Sequence, residues 1–78
     1  MTTFPQLQQL IAGTLDLSPG VITPSTSMEN LQGWDSLGHV HIMIAIEQAF
    51  DLSLDVEDFG HLTSVAAILG YLHTARAA

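Results

Sequence analysis

Apolar residues fall along the chain in clusters separated by turn formers, and the long clusters have the spacing of helices. Over residues 3–15, Phe4, Leu7, Leu10, Ile11 and Leu15 share one stripe, and Pro5 is tolerated in a first helical turn. A helix is predicted there, fraying after Gly13. Residues 16–35 gather Ser18-Pro19-Gly20, Thr23-Pro24-Ser25, Asn30 and Gly33, which predicts a long loop with one helical turn near residues 27–31. A loop of this length in a small domain is either functional or packed on itself. Val21, Met28 and Leu31 are its expected core anchors.

The second helix is predicted over residues 36–50, with Asp35 or Ser36 as N-cap and an end before Asp51. Its apolar residues cover more than one face: Met43, Ile46 and Phe50 form one stripe, and Leu37, Val40 and Ile44 form another. A surface helix needs only one such stripe, so the second is available to a ligand or partner. A short helical turn at 56–60 is expected to set Val56 and Phe59 against the bundle. The last helix starts with Thr63 or Ser64 as cap and carries Val65, Ile68, Leu69 and Leu72, with Arg76 near its negative C-terminal end. Nothing reads as a strand. The predicted class is all-α, a small four-helix bundle of three longer helices and one short one, forming a single domain over residues 1–78.

Composition narrows the functions this bundle can have. The 78 residues are 47% hydrophobic and only 12% charged, which argues against disorder. Eight carboxylates face Arg76 alone, for a formal charge of −7. Such a field repels phosphate backbones and anionic lipid and attracts basic protein surfaces, so neither nucleic acid nor membrane is expected as a partner. Cysteine is absent, so any thiol chemistry must come from an added group. No apolar run is long enough to span a bilayer, and Met1-Thr2-Thr3-Phe4-Pro5 lacks the regions of a signal peptide. A cytoplasmic monomer is expected.

The candidate chemistry lies in Gly33-Trp34-Asp35-Ser36-Leu37, which sets a serine at the entrance of the second helix. A serine before an apolar helix is ordinarily just an N-cap. A Ser36–His39 nucleophile and base would also need an orienting acid, oxyanion donors and a pocket, for which a small bundle has little room. Trp34 reads as a packing or surface residue beside the serine. His39, His41, His61 and His73 contain no i, i+4 pair and read as surface or partner-facing residues, not as metal ligands. Asp51, Asp55, Glu57 and Asp58 lack the ligand spacing and turn glycine of an EF-hand and read as a solvated acidic loop.

Asp35-Ser36-Leu37 followed by Val40, a mostly apolar helix, Glu47 and Phe50, then Thr63-Ser64-Val65 and Tyr71-Leu72, resembles acyl carrier proteins over nearly the whole chain. The resemblance implies that Ser36 receives a 4′-phosphopantetheine arm from coenzyme A through a phosphopantetheinyl transferase. It also implies that Asp35 helps the transferase recognise the site. The chain would then be no enzyme, but a carrier of acyl thioesters between acyl-loading and acyl-processing enzymes. A helix N-terminus suits the phosphodiester, because its N–H groups are unpaired.

The expected partner face is Leu37, Val40, His41, Ile44 and Glu47. Between Ser36 and Phe50 only Glu47 is acidic, whereas many fatty-acid carriers are rich in carboxylates there. This favours a polyketide or mixed polyketide–peptide pathway. A peptidyl or aminoacyl carrier, a housekeeping fatty-acid carrier and an unmodified interaction scaffold stay open as alternatives. A short or medium acyl chain is expected to fold back between the second and third helices, where Ile46, Phe59 and Leu62 would line a small cavity.

Overall fold

A computed structural model describes residues 4–77, with side chains as far as Thr74. Thr3 and the Arg76 side chain lie outside the described residues. The elements are α1 (Phe4–Leu15), a single 3-10 turn (Pro19–Val21), α2 (Ser36–Phe50), α3 (Val56–His61) and α4 (Val65–Ala77). Among the described residues there is no strand, only an isolated bridge between Ser27 and Ser64. The all-α bundle of three longer helices and one short one is therefore the observed fold.

The apolar stripes meet in one core. Leu7 and Ile11 of α1, Ile42, Met43 and Ile46 of α2, and Val65, Ile68 and Leu72 of α4 are fully buried, with Leu62 at the α3–α4 turn beside them. Helix α1 packs on α2, α4 and the 3-10 turn, and α2 packs on α3.

The first helix does not fray at Gly13. It continues to Leu15 and is stopped by Asp16 in the left-handed region (φ 59°), where the N–H of Leu17 closes the end by donating to Ala12 O at 2.8 Å. An aspartate also ends α2: Asp51 has φ 54°, and the N–H of Leu52 donates to Glu47 O at 3.1 Å. Short polar side chains tolerate this conformation better than most non-glycine residues.

The long loop is tied down at three levels. Gln8 on α1 donates from Nε2 to Pro19 O (2.8 Å) and Ile22 O (2.9 Å). Thr26 O accepts from Val65 N at 2.9 Å, and Met28 N donates to Thr63 O at 3.0 Å, pinning the loop to the start of α4. The expected turn near residues 27–31 is present, with Leu31 N donating to Ser27 O. Met28 and Leu31 pack on the core as expected, but Val21 does not: it is exposed, and Ile22 is buried in its place. The 3-10 turn and the Gln8 clamp on either side of it select which of these two adjacent side chains faces inward.

Helix α3 also departs from expectation at one residue. Phe59 packs on the core, but Val56 is 89% exposed. At the first helical position a side chain leans back toward the N-terminus, here away from the bundle. The helix is fixed at its start by Asp55 N–H donating to Asp58 Oδ2 at 3.0 Å, and Ser64 caps α4 by accepting from Ala67 N at 3.1 Å. Partial burial, followed by the charges of Asp58 and Asp55, pushes the Tyr71 phenol above its ordinary value.

Candidate functional site

Two residues compete to cap α2, and the structure assigns the role to Asp35. Its backbone is extended, and its Oδ1 accepts from Gly38 N at 2.8 Å. Ser36 is thereby released from capping and becomes the first residue of the helix. Its side chain is exposed and makes no hydrogen bond with the other described residues. The N–H groups of Ser36 and Leu37 belong to the first turn, where no intrahelical acceptor exists. An exposed hydroxyl thus stands at the positive end of a fifteen-residue helix.

Gly38 makes this geometry possible. A Cβ there would lie 2.8 Å from Leu15 Cδ2, 3.2 Å from Asp35 Oδ1 and 3.2 Å from Gly33 O. A side chain at this position would press on the cap, the end of α1 and the loop at once, so glycine lets all three close on the helix start without adjustment.

Behind the serine, Trp34, expected as a packing or surface residue, and His39, expected at the surface or facing a partner, form a buried polar pair. Trp34 is 2% exposed and His39 6% exposed. The indole Nε1–H of Trp34 donates to His39 Nδ1 at 3.0 Å, and His39 Nε2 lies 2.6 Å from Phe59 O. An indole can only donate and a carbonyl can only accept, so His39 is the neutral tautomer with its proton on Nε2. His39 is therefore not a surface or partner-facing residue. With both ring nitrogens engaged, it is also unavailable as a base for Ser36. Its burial was detectable from spacing: His39 lies three, four and seven residues before Ile42, Met43 and Ile46, on the stripe that forms the core. A buried tryptophan in need of an acceptor was the second signal.

The other candidates lie where the helix turns them. Leu37, Val40 and Ile44 are 66%, 40% and 43% exposed, and His41 is exposed beside them. Glu47 is half-buried, and its Oε2 accepts from Leu54 N at 2.8 Å, so this carboxylate holds the α2–α3 loop. Ile46 and Leu62 are closed to solvent within the core.

The sequence profile of the family described as "Phosphopantetheine attachment site" matches residues 5–72, which include Asp35, Ser36 and the whole of α2. The chain belongs to the acyl carrier family. It is 33% identical to the acyl carrier protein of Syntrophobacter fumaroxidans over 94% of this chain and 90% of that one. To the acyl carrier protein of Bdellovibrio bacteriovorus it is 31% identical over 92% of each chain. A putative mitochondrial acyl carrier protein of Schizosaccharomyces pombe is 33% identical over 69% of this chain and 48% of that one.

Membership in the acyl carrier family makes the chain a carrier and not an enzyme, with 4′-phosphopantetheine as its prosthetic group. Its partners are of the family's general kind, phosphopantetheinyl transferases and biosynthetic enzymes. The helix start fits that group: a free hydroxyl, unpaired N–H groups for a phosphodiester, and open surface around them. No helix among the described residues is long and apolar enough to cross a membrane.

Proposed function

We propose that Ser36 is the attachment residue and that the chain is a cytoplasmic carrier serving a polyketide or mixed polyketide–peptide pathway. The observation that carries the assignment is the division of labour at the start of α2. Asp35 caps the helix, so the Ser36 hydroxyl has no structural duty and stands exposed. In the loading step Ser36 Oγ forms a new O–P bond, its proton passes to the transferase, and the nucleotide half of coenzyme A departs. When bound, the arm supplies a terminal thiol that holds acyl groups as thioesters. The first-turn N–H groups then face the phosphodiester. Asp35, one oxygen of which is occupied by the cap, serves the transferase as a recognition carboxylate.

Leu37, Val40, His41 and Ile44 present the face that partner enzymes read, with Glu47 at its far end. Support for the pathway lies in this face: it is apolar where many fatty-acid carriers are acidic, and it suits partners with an apolar docking surface.

The test is the intact mass of the chain before and after incubation with coenzyme A, magnesium and a broad-specificity phosphopantetheinyl transferase. One phosphopantetheine is expected on the wild type and none on Ser36→Ala. A folded, initially unmodified wild type that gains no mass would favour the scaffold reading.

A further inference from the structure

A surface cleft of about 430 Å³ opens beside the helix start, lined by Met28, Leu31, Gln32, Trp34, Asp35 and Ser36. Its size falls within the range of about 300–1,000 Å³ typical of small-molecule sites. Most of its walls belong to the long loop, and no residue of α3 lines it. We infer that this cleft seats the chain's own phosphopantetheine arm; the inference rests on Ser36 as the attachment residue.

Three observations carry it. The attachment residue is itself part of the lining, so a group tethered there samples the cleft at an effective concentration on the order of millimolar, and weak contacts are enough to hold it. The chemistry matches the arm, which alternates apolar segments with amides. Met28, Leu31 and Trp34 supply apolar wall. Trp34 has no N–H left to donate, since its indole N–H donates to His39 and its backbone N–H to Leu31 O. Gln32 is exposed, and its carboxamide makes no hydrogen bond with the other described residues, so it can both donate to and accept from an amide of the arm. The third observation is the state of the α2–α3 seam. There the bond from His39 Nε2 to Phe59 O ties α3 to α2, and Ile46 and Leu62 are closed to solvent, so entry requires α3 to move. The loop cleft is open without any movement.

The walls are held rigidly enough to form a site. Met28 N is bonded to Thr63 O, Leu31 N to Ser27 O and Trp34 N to Leu31 O, so the lining is anchored both to its own turn and to the neighbourhood of α4.

The experiment compares ¹⁵N,¹³C-labelled unmodified and arm-bearing forms of the full chain by NMR, after intact mass has established the single addition and its loss in Ser36→Ala. Trp34 is the only tryptophan, so its indole N–H is a single resolvable reporter. The expected result is a shift of that signal and of the Gln32 side-chain amide, with NOEs from the geminal methyl groups of the arm to Met28 and Leu31. In Gln32→Ala, which still accepts the arm by mass, the Trp34 shift should fall at least twofold. Perturbations confined to residues 35–38 would overturn the inference, as would NOEs to Ile46, Phe59 and Leu62. No mass gain, or a gain that persists in Ser36→Ala, would overturn the attachment reading and the cleft assignment with it.

Discussion

Helix α2 has two apolar faces with opposite fates. One carries Ile42, Met43 and Ile46, all fully buried; the other carries Leu37, Val40 and Ile44, each at least two-fifths exposed. The residue types are nearly the same on both sides, so hydrophobicity alone does not separate core from contact surface. Position relative to α1 and α4 does. A helix apolar on both faces, in a domain with elements enough to cover only one, keeps the second for something outside the chain.

The contrast is broken most severely from the inside. Ile46→Ala removes a fully buried core side chain and should cost about 2–5 kcal/mol, measured as a lower denaturant midpoint. In a domain of this size that is a large share of the total stability. Next is His39→Leu, which keeps an apolar body on the buried face but orphans the Trp34 indole N–H and the Phe59 carbonyl. It should cost about 1–3 kcal/mol, with the Trp34 emission changing as the hydrogen bond is lost.

At the boundary between the faces, Asp35→Ala should lose about 1 kcal/mol with the cap, while Asp35→Asn should retain most of it. Thermal melts compare the two. A transferase assay on the stable Asn variant then separates the carboxylate's recognition role from its capping role, and slower loading is the expected result. The outer face should be nearly silent in stability. Ile44→Glu is expected to shift unfolding by no more than about 0.5 kcal/mol while lowering turnover by a partner enzyme. A large loss of helicity in that variant would reverse the assignment of the two faces.

The outline of this fold was legible because its helices are strongly periodic. The stripes in residues 3–15 and in α4, and the doubled stripe of α2, all appear where their spacing puts them. What was misread depends on contacts distant in sequence. Choosing between Val21 and Ile22 requires the Gln8 clamp from α1, which no local pattern reveals. Val56 was misplaced because a helix of six residues is too short for periodicity to distinguish its faces. His39 is a different case. Its spacing places it on the core stripe while its polarity points to the surface, and the Trp34 and Phe59 bonds that satisfy both ring nitrogens let position prevail. At the candidate site, Ser36 stands out through its neighbours in sequence as the proposed attachment residue, whereas the cleft beside it is assembled from loop residues whose meeting cannot be deduced from order alone.

The bond from His39 to Phe59 also bears on the order in which the molecule is built. A six-residue helix does not form by itself, and the last carbonyls of α3 lie beyond its own supply of N–H donors. Leu62 N serves the carbonyl of Asp58, and a side chain from α2 serves that of Phe59. Helix α3 therefore has to wait for α2, and it should be the last helix to assemble and the first to open. Native-state hydrogen exchange should find the amides of α3 exchanging through local opening, well before those of α1 and of the buried face of α2 are released by global unfolding.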